Sequence, residues 1–186
     1  MFLDIGVGIL VSILASSSYG LELNFMLLVA GIAFALLPDI DFIKYFFLED
    51  KMEGYKHRDF LHLPLLYVPI GAMAVYLFLG KAYAAMFVLG SVLHFIHDSL
   101  GIGRGVKWLY PFSRSGYAFL YMYSGSVRRG LWKPLFVFDE AAIKSFDLEH
   151  GDREWLRNVY FRWHPLAIIE FSVFIISIII LYSYAR

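Results

Sequence analysis

LAIIEFSVFIISIIILYSY, residues 166–184, is an apolar run interrupted by one carboxylate, Glu170. About 20 such residues carry a helix across a bilayer core, so the run reads as a transmembrane helix and sets the class of the whole chain. The remainder agrees: 60% of the 186 residues are apolar and mean hydropathy is +0.64, above the usual share for a soluble domain. Working back toward the start, further apolar runs cover residues 82–96, 63–79, 25–37 and 5–15. Gly80-Lys81 joins two of them as a tight helical hairpin. Pro38 disfavours helical geometry at Leu37, so the second run is expected to stop there. The first two runs fall short of a comfortable span and read as a half-buried hairpin or as thin spans. Asp4, not a basic residue, precedes the first run, so no cleaved signal peptide is expected. The predicted fold class is all-α: a polytopic membrane helical bundle of about five short spans, in a single membrane-embedded domain over residues 1–186.

Residues 99–164 separate the fourth run from the fifth. Trp108, Tyr110, Tyr117, Tyr121, Tyr123, Trp132, Trp155, Tyr160 and Trp163 alternate there with Lys and Arg, a composition suited to the headgroup region. Interfacial amphipathic helices are therefore expected between spans four and five. Asp139-Glu140 starts one of them. Asp152 starts another, with Trp155, Leu156, Val159 and Tyr160 on one face. The domain then divides into a core over 1–112, an interfacial segment over 113–164 and a C-terminal membrane helix over 165–186.

Basic residues orient the spans. Lys44, Lys51, Lys56, Arg58 and every Lys and Arg from Arg104 to Arg162 fall on one face, against Lys81 and Arg186 on the other. The basic face is expected to be cytoplasmic, with the N-terminus inside, in a multi-pass protein of the plasma (inner) membrane. Formal net charge is zero, which offers no argument for a nucleic-acid partner; membrane lipid is the expected one. Cysteine is absent, which removes disulfides, zinc-thiolate sites and thiol nucleophiles. His and carboxylate are the strong metal ligands that remain.

Those residue types gather where the apolar runs end: Asp39 and Asp41, then His57 and His62, then His94, His97 and Asp98. With five spans, connectivity puts all seven at one membrane face. Positions three and four apart share a helix face, so His94 points alongside His97 or Asp98 and presents nitrogen or oxygen to one ion. His94 also lies a turn inside its apolar run, where an ionisable group is costly and usually functional. Asp39 and Asp41 are two apart, and an extended stretch after Pro38 would project both carboxylates to one side. His57 and His62, five apart, converge if His57 sits on the loop and His62 at the helix mouth. Singly, each is an ordinary polar cap. Together they predict a centre for one to three divalent ions, with zinc preferred because of the imidazoles. Glu170 and His164 lie on the same face by topology, but an interfacial Glu is more often simply hydrated.

Leu-Pro-Asp-Ile-Asp at 37–41, His-Arg-Asp-Phe-Leu-His at 57–62, His-Phe-Ile-His-Asp at 94–98 and Gly-Val-Lys-Trp-Leu-Tyr-Pro-Phe at 105–112 resemble the blocks of the LexA-binding, inner-membrane-associated metal-dependent hydrolases. The resemblance covers residues 1–112. It implies Asp39, Asp41, His57, His62, His94 and Asp98 as ligands, with Arg58 beside them. That family's distant similarity to zinc-dependent phospholipase C implies a phosphoester substrate. The chain departs from the pattern where the family often has Thr-His near the N-terminus, and at Leu61 and Leu63, which flank His62 in place of Thr and Ser. The implied activity is metal-assisted hydrolysis of a phosphoester or ester, including a lipid, with Arg58 as a fork for phosphate and Asp59 or Asp98 taking the proton. Two other functions fit the same residues: a metal or ion transport protein, since His and Asp also line ion paths, and a non-catalytic structural or regulatory membrane protein.

Overall fold

The first helix outruns its apolar residues, and the second starts on a polar cap. Helix α1 (Phe2–Tyr19) continues past the apolar run through Ser16 and closes on Gly20, in the left-handed conformation at φ 64°. The Ser12 hydroxyl lies 2.9 Å from Gly8 O in its own helix and 3.0 Å from Leu27 O in the next, and Ser16 donates to Leu21 O at 2.7 Å. Helix α2 (Phe25–Leu36) starts on Asn24, whose side chain accepts from the Leu27 N–H at 3.0 Å. The computed structural model describes residues 1–40, 61–101, 104–124, 129–150, 154–184 and 186.

The expected extended stretch at Asp39 is not found. Leu37 keeps right-handed helical angles (φ −57°, ψ −35°), and residues 37–40 tighten into a 3₁₀ turn. Pro38 ends the α-helical ladder by lacking an N–H, yet its fixed φ suits a tighter helical turn. Helix α3 (Pro64–Leu79) and helix α4 (Lys81–Asp98) flank Gly80, at φ 86°. Helix α5 (Glu140–His150), helix α6 (Trp155–Tyr160) and helix α7 (Pro165–Tyr184) follow.

The chain divides into two compact units, the first comprising Met1–Pro38, Val68–His94 and Pro165–Arg186. Its core is Val7, Val11, Ala15, Leu27, Ala35 and Met86. The helices approach closely because small residues stand at the crossings. A Cβ on Gly8 would fall 2.5 Å from Ile32 Cα, and one on Gly90 would fall 3.2 Å from Ala35 N. Such contact suits an apolar solvent, where dispersion between close backbones replaces the hydrophobic drive between helices. Helix α7 exposes Ile168, Ile169, Ile175, Ile176 and Ile179, and α3 exposes Ile70, Met73, Leu77 and Phe78. Apolar surface on that scale is suited to lipid.

Among the described residues, two helices are long and apolar enough to cross a membrane, α1 and α7, while α2 and α3 are shorter apolar helices. The chain is mainly helical, as expected.

The second unit, Asp39–Tyr67 and Phe95–His164, corrects the all-α expectation. It holds a three-stranded sheet in the order β1 (Leu100–Gly101), β2 (Gly116–Ser124), β3 (Arg129–Phe138). Part of the stretch read as interfacial helix is therefore an antiparallel hairpin, β2 on β3. Tyr117, Phe119, Tyr121 and Tyr123 fall at every second position, and aromatics favour pleated strands. Pro134 sits inside β3, which is tolerated because β3 is an edge strand and the register slips there: Phe119 pairs with Leu135 and Tyr121 with Trp132. Leu120, opposite the slip, takes a φ of 59°. Helix α5 begins as expected, with Asp139 accepting from the Ala142 N–H at 2.7 Å, and Phe146 packs on Ala118, Phe136 and Phe138. Asp152 lies outside the described residues, and α6 begins at Trp155.

Replacing Gly8 by Leu tests the close approach. The new side chain meets backbone, which cannot swing aside, so the variant is expected to lose about 3 kcal/mol, the upper end for overpacking. Thermal unfolding of the purified protein in detergent measures it; an unchanged midpoint would contradict the α1–α2 packing.

Candidate metal centre

His62 precedes α3 by two residues, and its ring is fully buried. Its Nε2 lies 3.0 Å from Asp98 Oδ2, at the end of α4, and 3.3 Å from Asp39 Oδ1, on the 3₁₀ turn. One imidazole nitrogen holds at most one proton, yet two carboxylates converge on it. A divalent cation among these atoms would take the place of that proton and offset both acids.

Helix α4 runs unbroken to Asp98, so His94, four residues earlier, is carried on the same face as Asp98. Asp39, His62, His94 and Asp98 form a group that could hold a metal ion, each offering one ligand atom within 4.8 Å of the others. Ligand atoms of one tetrahedral ion with bonds of about 2.0–2.2 Å lie about 3.3–3.6 Å apart, so the four side chains would draw in around an ion on binding it. Two imidazoles and two carboxylates without sulfur suit zinc or another borderline divalent ion, and the donor set fits.

Aromatic rings pack beside His62. His62 meets Phe95 edge-to-face at 5.8 Å, and Phe95 meets Tyr67 at 5.6 Å and Trp108 at 6.3 Å. Trp108 Nε1–H donates to Ser99 Oγ at 2.8 Å, and Ser99 donates in turn to Phe95 O at 2.8 Å. The Phe119 N–H reaches Ser99 O at 2.6 Å, fixing β2 to the residue that follows Asp98. The Gly-Val-Lys-Trp block thus supplies packing beside the acid.

Four of the seven expected ligands come together: Asp39, His62, His94 and Asp98. His97 is half-buried on α4 and is not one of the four. A residue three before or four after His94 shares its stripe as well as one three after, and Asp98 takes the position. Asp41 and His57 lie outside the described residues, as do Arg58 and Asp59.

Two further acids are buried in the first unit. Asp4 Oδ1 is 3.1 Å from His94 Nδ1, and both side chains are about 1% exposed. Glu170 is buried, contrary to the expectation of a hydrated carboxylate, and its Oε2 is 3.3 Å from the Met1 ammonium, which is also 2.9 Å from Asp4 Oδ2. Burial by itself would lower the pKa of that ammonium, but the two acids outweigh it and raise it to about 10. His164, half-buried, is shifted down by desolvation and is not one of the four.

Compared with known protein families, residues 4–185 match the one described as YdjM inner membrane protein. The chain belongs to the YdjM inner membrane protein family. No curated protein and no solved structure matches it. Membership agrees with the apolar α1 and α7, which fit membrane association, and the match runs through residues 113–164 to the end of α7.

Trp108→Phe removes the donor and leaves a smaller aromatic ring. The Ser99 hydroxyl then loses a neutral hydrogen bond worth about 1 kcal/mol, and the lost indole volume adds to that cost. Chemical unfolding of the two proteins side by side measures it; no loss would mean that the Trp108–Ser99 bond does not support the end of α4.

Proposed function

We propose that this YdjM-family chain is a metal-dependent hydrolase of the inner membrane, multi-pass with about five spans, acting on a phosphoester or ester of an amphiphile at the cytoplasmic face. The observation that carries the reading is His62 Nε2 between Asp39 and Asp98, with His94 one turn away from Asp98. Ligands drawn from the end of α2, the start of α3 and the end of α4 are the arrangement of a site, since a polar cap needs no partner from another segment.

Asp39, His62, His94 and Asp98 would hold a divalent ion, with Asp41 and His57 as further ligands by the sequence resemblance. Such an ion, when bound, supplies Lewis-acid polarisation of a phosphoryl or carbonyl oxygen. The chain's own residues do the rest. Arg58 offers a planar guanidinium that pairs two phosphate oxygens at once. Asp59 takes a proton from the attacking water, and the aromatic wall of Phe95, Tyr67 and Trp108 limits bulk water around His62. Exposed Phe112, Phe161 and Trp163 suit the headgroup layer from which an amphiphilic substrate would arrive.

Metal analysis of wild type beside His62→Ala and Asp98→Asn, paired with a screen of phosphodiester and carboxylic ester substrates, tests this. The expected result is stoichiometric divalent metal in wild type, most of it lost in both variants, and turnover that is lost with it. Metal without turnover, accompanied by metal flux in proteoliposomes, would replace the hydrolase by a transporter. No bound metal, and a melting temperature unmoved by chelator, would leave a structural hydrogen-bond network.

A further inference from the structure

We infer that Asp4 is the positioning carboxylate of His94, fixing the ring tautomer that presents nitrogen to the metal centre. The inference rests on the metal-centre reading above and extends it to α1, from which no ligand was expected.

Asp4 sits in the first turn of an apolar helix and is about 1% exposed. A carboxylate in such a place is costly, and it is retained where it meets specific partners. Its two oxygens have different ones. Oδ2 faces the Met1 ammonium at 2.9 Å, and Oδ1 faces His94 Nδ1 at 3.1 Å across 90 residues of sequence. A carboxylate accepts and does not donate, so the proton of that contact belongs to Nδ1. In the neutral ring, Nε2 then carries the lone pair that can ligate an ion. A metal-binding histidine commonly gives its other N–H to a carboxylate in this way, and the partner both orients the ring and raises its basicity.

The Asp4–His94 contact therefore sets which nitrogen of His94 serves the group formed with Asp39, His62 and Asp98. The alternative is a polar tie between α1 and α4 with no bearing on metal. Such ties contribute modestly between membrane helices and would affect stability alone.

Cobalt titration of purified metal-free protein, with affinity and visible spectrum read together, separates the two. Asp4→Asn is expected to weaken Co²⁺ binding about 10- to 100-fold and alter the spectrum, with Asp4→Glu recovering part of the loss. Nitrogen-15 spectra of the metal-free protein, with the His94 signals assigned by difference from His94→Gln, are expected to show the Nδ1–H tautomer in wild type and a mixture in Asp4→Asn. Equal cobalt affinity and an unchanged tautomer in Asp4→Asn would overturn the inference, even if its melting temperature fell. Should wild type bind no cobalt, the metal reading fails, and the tautomer comparison alone decides whether Asp4 sets the ring. Should Asp4→Asn not fold, the wild-type tautomer and the Asp4→Glu affinity decide it, an Nε2–H ring in wild type being the contrary result.

Discussion

Asp4, His62, His94 and Glu170 are almost sealed from solvent in a chain dominated by apolar side chains, and each meets a partner of complementary charge or hydrogen-bonding capacity. An ionisable group in apolar surroundings is retained where something compensates it. That constraint organises the rest. It draws the end of α2 and the start of α3 toward the last turn of α4 at His62, and in the first unit it draws α1 to α4 at His94. Close helix crossings at Gly8 and Gly90 make those approaches possible by letting backbones touch.

How much of this the chain discloses before folding depends on the range of the signal. The apolar runs were legible because length and hydropathy are local, and five of the helices, α1 to α4 and α7, fall on them. Helix α1 was read too short because its apolar run stops near Ala15, whereas the backbone ladder carries on through Ser16 to Tyr19 and ends at the left-handed Gly20. The hairpin was missed for a different reason. Its aromatics alternate with period two, but the Arg and Lys interleaved with them suggested pieces lying in the headgroup region, and the slip at Leu120 that accommodates Pro134 leaves no mark in composition.

At the candidate centre the same division holds. His94 and Asp98 were legible from helical spacing on one element. Asp39 was singled out by type while its backbone was misjudged, since the 3₁₀ turn after Leu36 follows from how Pro38 closes a helix and not from the Asp-x-Asp spacing. Asp4 was passed over because its partner is 90 residues away. A signal existed: a carboxylate in the first turn of an apolar helix needs an explanation, and a buried histidine is one.

Whether Asp39, His62, His94 and Asp98 surround an ion decides the function proposed for this chain. X-ray absorption at the metal edge of the purified protein, loaded with zinc and freed of excess, addresses that directly. The expected result is a nitrogen and oxygen shell at about 2.0–2.1 Å with the scattering of two imidazoles and no sulfur. A protein that retains no zinc, or a shell of oxygen alone without imidazole, would contradict it.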